Sequence, residues 1–267
     1  MLRARAGAKD FLAKPFDAQE VVLRIRNLLE TRVLHRALAT QNTLLEERIR
    51  QRTRELEAAQ AEVLERLAAA TEFRDDDTGQ HTQRVGALAA RLAEALGLSA
   101  DWVALIRRAA PLHDVGKIGI PDRILHKPGR LTPRELEVMR THAVLGARIL
   151  AGGTSPLMTM AERIARGHHE RWDGLGYPDG LRGEETPLEA RIVAVADVVD
   201  ALTHARPYRA AWPLSDVLEV VRRGRGTHFG PTVADALLSD AVVSQLHRAA
   251  PRGDLRRAPR MAVRRIA

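Results

Sequence analysis

The sequence predicts an all-α protein, and three features support that prediction. Leucine, valine, isoleucine and alanine supply most of the apolar residues, whereas aromatic residues make up only 3% of the 267-residue chain. Alanine- and leucine-rich segments with charged residues between them favour helices over strands. Apolar residues also recur at helical spacing along most of the chain, and glycine or proline marks the short connections.

The composition narrows the classes of site that this chain can hold. It has no cysteine, which excludes disulfides, cysteine-ligated zinc and iron–sulfur clusters. No run of 18 apolar residues and no signal-peptide core is present, so we expect no membrane span and a cytoplasmic protein. The net charge of +8 is uneven, since residues 247–267 contain seven arginines. We expect this segment to be a disordered, solvated basic tail, with nucleic-acid or anionic-lipid contact as the alternative.

Residues 1–30 resemble the last strand and helix of a response-regulator receiver domain. A short predicted strand is followed by Lys14-Pro15-Phe16, a turn typical of that family, in which Lys14 matches the phosphoryl-contacting lysine. Asp17 is positioned to cap the following helix. Thirty residues cannot fold as a receiver, so the segment is a fragment, a misplaced start or a helical lead-in. We therefore expect no phosphorylation of this chain.

Residues 31–70 are predicted to form a long helix, because they contain neither glycine nor proline. Apolar residues recur there at intervals of seven and four: Leu38, Leu45, Ile49, Leu56, Val63 and Leu67. This spacing indicates a parallel coiled coil and hence a homodimer. The seam is imperfect at Arg52 and Arg66, so a solvated signalling helix is the alternative interpretation.

Residues 71–246 are predicted to form the compact domain, followed by the basic tail at 247–267. Successive amphipathic segments predict helices at 79–96, 100–112, 133–151, 156–169, 188–202, 213–224 and 231–249. A glycine-rich loop lies between Trp172 and Glu185. By itself such a loop is typical of a flexible surface connection.

Histidine and aspartate residues recur along the predicted helices of this domain. The set comprises Asp77, His81, His113, Asp114, His142, His168, His169, Asp197 and Asp200. A single histidine on a helix is more often a surface or satisfied core residue. Asp197 is harder to explain in that way, because valine and alanine flank it and its carboxylate should point inward, where an unpaired charge is costly. Two inward carboxylates, Asp197 and Asp200, require cations, and a cysteine-free His/Asp set suits Fe, Mn, Zn, Co or Ni.

The order of these residues resembles the HD-GYP family of HD-superfamily phosphodiesterases, which hydrolyse the bacterial second messenger cyclic di-GMP. The resemblance rests on His113-Asp114-Val115-Gly116-Lys117-Ile118, on the loop with Gly176-Tyr177-Pro178, and on Arg206-Pro207-Tyr208-Arg209. It covers about residues 71–246. It implies an HD-domain helical bundle, here preceded by a coiled-coil helix and a truncated receiver end.

The resemblance also implies roles for individual residues. The positions that match the family's ligands for two divalent ions, such as Fe or Mn, are His113, Asp114, His142, His168, His169 and Asp197. Asp114 matches the bridging carboxylate, Lys117 a phosphate contact, and Asp200 a carboxylate that positions the nucleophile or moves protons. Tyr177 would contact the nucleotide, and Arg206 and Arg209 would hold the substrate phosphates, for which the guanidinium fork is suited.

One departure from the family pattern concerns a third metal. Asp77 stands four residues before His81, where some family members carry a glutamate that accompanies a third ion. Because aspartate is shorter, a two-metal site is preferred, and His81 is then expected outside the ligand set. A third ion bound by Asp77 and His81 is the alternative.

Three functions follow from these patterns. The first is hydrolysis of cyclic di-GMP to linear pGpG, with GMP as a further product. The second is a non-catalytic cyclic di-GMP receptor or scaffold, which is less favoured because all six two-metal positions and Lys117 are present. The third is an HD-type phosphohydrolase for another nucleotide, against which Gly176-Tyr177-Pro178 argues.

Overall fold

The prediction of an all-α fold is confirmed. The structure, a computed structural model, describes residue 15 and residues 17–75, 80–205 and 210–249. Across these ranges it contains α-helices, three short 3-10 helices and two isolated bridges, and no β-strand. The predicted strand of the receiver-like segment and Lys14 lie outside the described residues. Of the predicted basic tail, residues 247–249 belong to the last helix and residues 250–267 lie outside the described residues.

The helices follow one another with short connections. The α-helices are α1 (Ala18–Asp75), α2 (His81–Ala95), α3 (Ala100–Ala109), α4 (Asp122–Leu125), α5 (Pro133–Leu150), α6 (Pro156–Gly167), α7 (Leu188–Thr203), α8 (Leu214–Gly224), α9 (Pro231–Leu237) and α10 (Asp240–Ala249). The 3-10 helices are Ala110–Leu112, Val115–Gly119 and Gly183–Glu185. Side-chain caps explain where three of these helices begin: Ser99, Thr132 and Ser155 cap the N-termini of α3, α5 and α6.

The single helix predicted over residues 231–249 is wrong, because α9 and α10 are separate. The break falls at Leu238 and Ser239, where the Ser239 hydroxyl donates to the Ala236 carbonyl at 2.7 Å. The Ser239 carbonyl then accepts from the Val243 N–H at 3.0 Å and begins the next helix. Serine side chains compete for backbone groups in this way, which the apolar spacing alone does not reveal.

The chain divides into two compact units, Met1–Gln60 and Ala61–Ala267. In the first unit almost every described side chain of α1 is exposed, including Leu38, Leu45 and Ile49. The domain boundaries predicted from the sequence stay predictions. Among the described residues, no helix combines the length and the apolar character needed to cross a membrane.

The core of the second unit is built around α7. Its residues Ile192, Val195 and Leu202 are buried, and α2, α6, α8 and α9 all contact the helix. Helix α6 also packs on α3 and α5. This arrangement brings the start of α2, the end of α6 and the middle of α7 to the same side of the core.

A close crossing joins the segment after Asp114 to α5. A Cβ atom at Gly116 would lie 1.9 Å from the His142 carbonyl oxygen and 2.3 Å from the Gly146 nitrogen. Any side chain at Gly116 would therefore collide with backbone. The glycine lets the 3-10 helix Val115–Gly119 lie against α5, which places Asp114 beside His142.

Candidate metal centre

Seven histidine and aspartate side chains form two adjacent groups in the second unit. One group comprises His81, His113 and Asp197; the other comprises Asp114, His142, His168 and His169. Within each group the potential ligand atoms lie within 4.8 Å of one another. The structure thus brings together all six residues predicted as ligands for two metals. It also places His81, which was expected outside that set, in the first group.

The Asp114 carboxylate lies between the two groups. Its Oδ2 atom is 3.3 Å from His113 Nε2 in the first group. Its Oδ1 atom is 3.4 Å from His142 Nε2 and 3.6 Å from His168 Nε2 in the second. One carboxylate therefore presents one oxygen to each group.

The imidazole rings are held in a single orientation by their own backbone. The Nδ1 atoms of His113 and His142 lie 2.9 and 2.7 Å from the carbonyl oxygens of Ala110 and Met139. His168 Nδ1 lies 3.1 Å from two further carbonyls. Because a carbonyl only accepts, each Nδ1 must carry the proton and donate it. The Nε2 lone pairs are then left facing the centre, as in metal-ligating histidines.

These lone pairs have no hydrogen-bond partner that would explain their placement. His113 Nε2 is fully buried and makes no hydrogen bond. His142 Nε2 and His168 Nε2 face each other at 3.4 Å, although neither carries a proton in this tautomer. Ligands about 2.0–2.2 Å from one ion are themselves about 3.0–3.5 Å apart. The donor set therefore fits divalent metal ions better than it fits an internal hydrogen-bond network.

The second group is poised to bind a cation at neutral pH. Burial lowers the pKa of His142 to about 4 and that of His169 well below its ordinary value. Burial would raise the pKa of Asp114, but the charge of Lys117 outweighs it, and that pKa is held well below its usual range. The imidazoles of His142 and His169 are therefore neutral, and the Asp114 carboxylate is charged.

Asp200 orients His81 in the first group. The Asp200 Oδ2 atom is 2.7 Å from His81 Nδ1, and His81 Nε2 then faces Asp197 Oδ1 at 3.3 Å. Arg84 donates to both Asp200 oxygens, at 2.7 and 3.0 Å, and His204 Nδ1 lies 3.1 Å from Oδ1. Burial lowers the pKa of His81, but Asp197 and Asp200 outweigh it and raise that pKa to about 10.

Lys117 and Tyr177 lie beside the centre, where the resemblance expects them. Lys117 Nζ is 2.7 Å from Asp114 Oδ2. The Tyr177 ring stacks on His169, with centroids 4.7 Å apart and an interplanar angle of 24°. The guanidinium of Arg140 lies 5.0 Å from the Tyr177 ring centroid. Both predicted substrate contacts are thus adjacent to the second ligand group.

The buried carboxylate of Glu170 accepts hydrogen bonds from the backbone of the loop that carries Tyr177. Glu170 is 3% exposed, and its Oε1 accepts from the N–H groups of Asp179 and Gly180 at 2.7 and 3.1 Å. Its Oε2 accepts from the Leu181 N–H at 3.1 Å. Sequence reasoning missed Glu170, although it directly follows the His168-His169 doublet. The glycine-rich stretch is therefore an anchored element of the site.

Some predicted site residues cannot be placed. Asp77, Arg206 and Arg209 lie outside the described residues, so their roles stay predictions. Sequence reasoning also missed Arg84 and Arg140. Arg84 lies three residues after His81 on the same helix, and that spacing was a usable signal.

The comparison with protein families agrees with this geometry. The family model described as "HD domain" matches residues 62–233. The chain belongs to the HD domain family. The matched range contains both ligand groups, and the family resemblance predicted from the motifs is confirmed.

Similar curated proteins of this HD-domain family act on cyclic dinucleotides. The "Cyclic di-GMP phosphodiesterase response regulator RpfG" of Xanthomonas campestris pv. campestris is 47% identical over 233 residues, which cover 87% of this chain and 62% of the relative. A "Cyclic di-GMP phosphodiesterase" of Thermotoga maritima is 45% identical over 240 residues, 87% of this chain and 65% of the relative. The chain thus spans less than two thirds of each relative's length.

A solved structure shares the fold of this HD domain. The cyclic GMP-AMP specific phosphodiesterase V-cGAP3 of V. cholerae aligns with a TM-score of 0.50 and 18% identity. The alignment covers 70% of this chain and 50% of that chain. At this identity the likeness concerns the fold alone.

Proposed function

We propose that this chain is a metal-dependent phosphodiesterase that hydrolyses cyclic di-GMP. The observation that carries the proposal is Asp114, whose two oxygens each face a separate group of potential metal ligands. A carboxylate shared in this way is what a two-metal hydrolytic site requires. The names of the two curated relatives support the choice of substrate.

The first ion would be held by His81, His113 and Asp197, and the second by His142, His168 and His169, with Asp114 shared between them. The chemistry supplied by such a pair of ions is activation of water at neutral pH and neutralisation of charge on the phosphoryl oxygens. This set of imidazoles and carboxylates suits Fe or Mn as well as other divalent ions. A third ion that also uses Asp77 is the alternative.

The remaining residues of the site would bind and orient the substrate. Lys117 is close enough to Asp114 to donate a hydrogen bond to a phosphate oxygen next to the shared carboxylate. Tyr177 would contact the nucleotide from its position on His169, and Arg206 and Arg209 would hold the phosphates. Asp200 is proposed to orient His81, because its oxygens already accept from other side chains.

Cleavage of one phosphodiester bond would open the ring to linear pGpG, and a second cleavage would give GMP. The test is chromatography of the products from anaerobically purified, metal-loaded protein, beside a His113→Ala, Asp114→Ala double variant. The wild type is expected to form pGpG and the double variant none. Wild-type protein that binds both cyclic di-GMP and two metals but releases no product would instead be a non-catalytic receptor.

We also propose that two copies associate through α1. The described side chains of Leu38, Leu45, Ile49 and Leu56 are more than half exposed, at the spacing of a coiled-coil seam. A second copy of the same helix would cover them. Arg52 and Arg66 interrupt this seam and would weaken the pair.

A further inference from the structure

The C-terminal end of α1 contributes two charged side chains to the surroundings of the metal centre. Glu72 and Arg74 lie in the last turn of the helix, within the second compact unit. Glu72 contacts the beginning of α2, and Arg74 contacts the segment that follows Lys117. They therefore reach two separate parts of the site.

Glu72 caps α2 from outside that helix. Its side chain is buried, with 6% exposure. Oε1 accepts from the His81 N–H at 2.6 Å, and Oε2 accepts from the Thr82 N–H at 3.3 Å and the Thr82 hydroxyl at 2.8 Å. The residue at the usual capping position, Gln80, makes no side-chain cap. Since the first N–H groups of a helix lack partners and favour a negative charge, Glu72 fixes the turn that carries His81.

Arg74 caps the C-terminal end of the 3-10 helix Val115–Gly119. Its guanidinium donates to the carbonyls of Lys117 at 2.9 Å, Ile118 at 2.5 Å and Ile120 at 2.6 Å. Carbonyls at the end of a helix lack internal partners and favour a cation. Arg74 thus holds the backbone from which the Lys117 side chain extends.

Neither contact has the character of an ordinary surface ion pair. Arg74 also pairs with Asp122 at 2.8 Å, but the Asp122 side chain is 74% exposed, and such pairs contribute little. Burial of the Glu72 carboxylate would be costly without the hydrogen bonds that it accepts from His81 and Thr82. Both side chains instead satisfy backbone groups next to site residues.

We propose that Glu72 and Arg74 are positioning residues, Glu72 for the metal ligand His81 and Arg74 for the phosphate contact Lys117. The inference rests on the proposed two-metal function and adds to it that the last turn of α1 sets the geometry on two sides of the centre. A displacement of that single turn would move His81 and Lys117 together.

The Glu72 part is tested by metal affinity, measured with Mn²⁺ alone by equilibrium dialysis. Glu72→Gln is expected to weaken binding of one of the two ions by about three- to thirtyfold, the effect expected from weakening the cap of the turn that carries His81. Glu65→Gln, an exposed glutamate on the same helix, is the matched control and should bind as the wild type does. Thr82→Val removes only the hydroxyl contact and should cause a smaller loss in the same direction.

The Arg74 part is tested by steady-state kinetics with cyclic di-GMP. Arg74→Lys keeps the charge but cannot serve three carbonyls, so KM should rise by about three- to tenfold while two ions stay bound. Asp122→Asn removes only the exposed ion pair and should leave KM unchanged.

Specific results would overturn the inference. Unchanged Mn²⁺ affinity in Glu72→Gln contradicts the Glu72 part. If circular dichroism shows that this variant does not fold, Thr82→Val takes its place, and unchanged Mn²⁺ affinity in Thr82→Val contradicts the Glu72 part. An unchanged KM in Arg74→Lys, or an equal rise in Asp122→Asn, contradicts the Arg74 part. Wild-type protein that binds two ions but hydrolyses nothing contradicts the proposed function instead, and the Mn²⁺ comparison still stands.

Discussion

At the scale of single residues, the candidate centre depends on which nitrogen of each histidine is free. His113, His142 and His168 each donate Nδ1–H to a carbonyl three or four residues earlier in the chain. The local turn therefore selects the tautomer before any ion binds. Because the rings need not reorient, little conformational entropy is lost when a metal is bound.

The two ligand groups should differ in how pH affects metal binding. Asp197 and Asp200 raise the pKa of His81 to about 10 against the effect of burial, so metal-free His81 is protonated at neutral pH. An ion must displace this proton, so affinity at the first group should increase with pH until the pH reaches about 10. His142, with a pKa of about 4, and His169 are already neutral. These two ligands should therefore add no pH dependence to metal binding at the second group between pH 6 and 8.

Isothermal titration calorimetry in two buffers of different ionisation enthalpy measures these protons directly. We expect the ion at the first group to release more protons than the ion at the second. Equal proton release at both sites would contradict the assignment.

At the scale of elements, the crossing of Val115–Gly119 over α5 determines whether the two ligand groups can meet. Gly116→Ala would push a methyl group into the His142 carbonyl and the Gly146 nitrogen. We expect it to lower the free energy of unfolding by about 1–3 kcal/mol or more and to reduce bound metal. Gly97→Ala is a useful comparison in thermal melts, because an alanine there would be strained only by the φ of 74° and would have open space around its Cβ. If Gly116→Ala were less stable but still bound as much metal as the wild type, the crossing would not be needed to place the metal ligands.

The loop that carries Tyr177 gives a separate prediction. Glu170→Gln replaces one of two accepting oxygens with an N–H₂ group that faces a backbone N–H. The unsatisfied donors should loosen the loop and raise KM by about tenfold or more, while the metal content stays the same. Kinetics with parallel metal analysis distinguish this outcome from loss of an ion.

The helices were predictable from local spacing, whereas the ligand set was predicted from the resemblance to the HD-GYP motifs. Helical periodicity located most helices, and the apolar neighbours of Asp197 identified a partly buried carboxylate. The supporting contacts were not predictable, since they join residues far apart in sequence. Arg84 meets Asp200 across 116 positions, and Arg74 meets Lys117 across 43. The assignment of His81 likewise depends on Asp200, which approaches it from α7.

At the scale of the whole molecule, the proposed pairing of two copies through α1 is open to a direct test. Leu45→Glu and Ile49→Glu would place like charges along the seam, and we expect the double variant to be a monomer in light scattering at micromolar concentration. Thr40→Glu, at an exposed position on the same helix outside both rows of the seam, serves as the control. A monomeric wild type at that concentration would contradict the pairing.

The central claim is that Asp114 joins two ligand groups into one two-metal centre. The most direct measurement is the number of metal ions per chain in anaerobically purified protein that hydrolyses cyclic di-GMP, compared with Asp114→Asn. We expect two ions in the wild type and at most one, without activity, in the variant. Full activity with one ion per chain, or an active Asp114→Asn that keeps two ions, would contradict the claim.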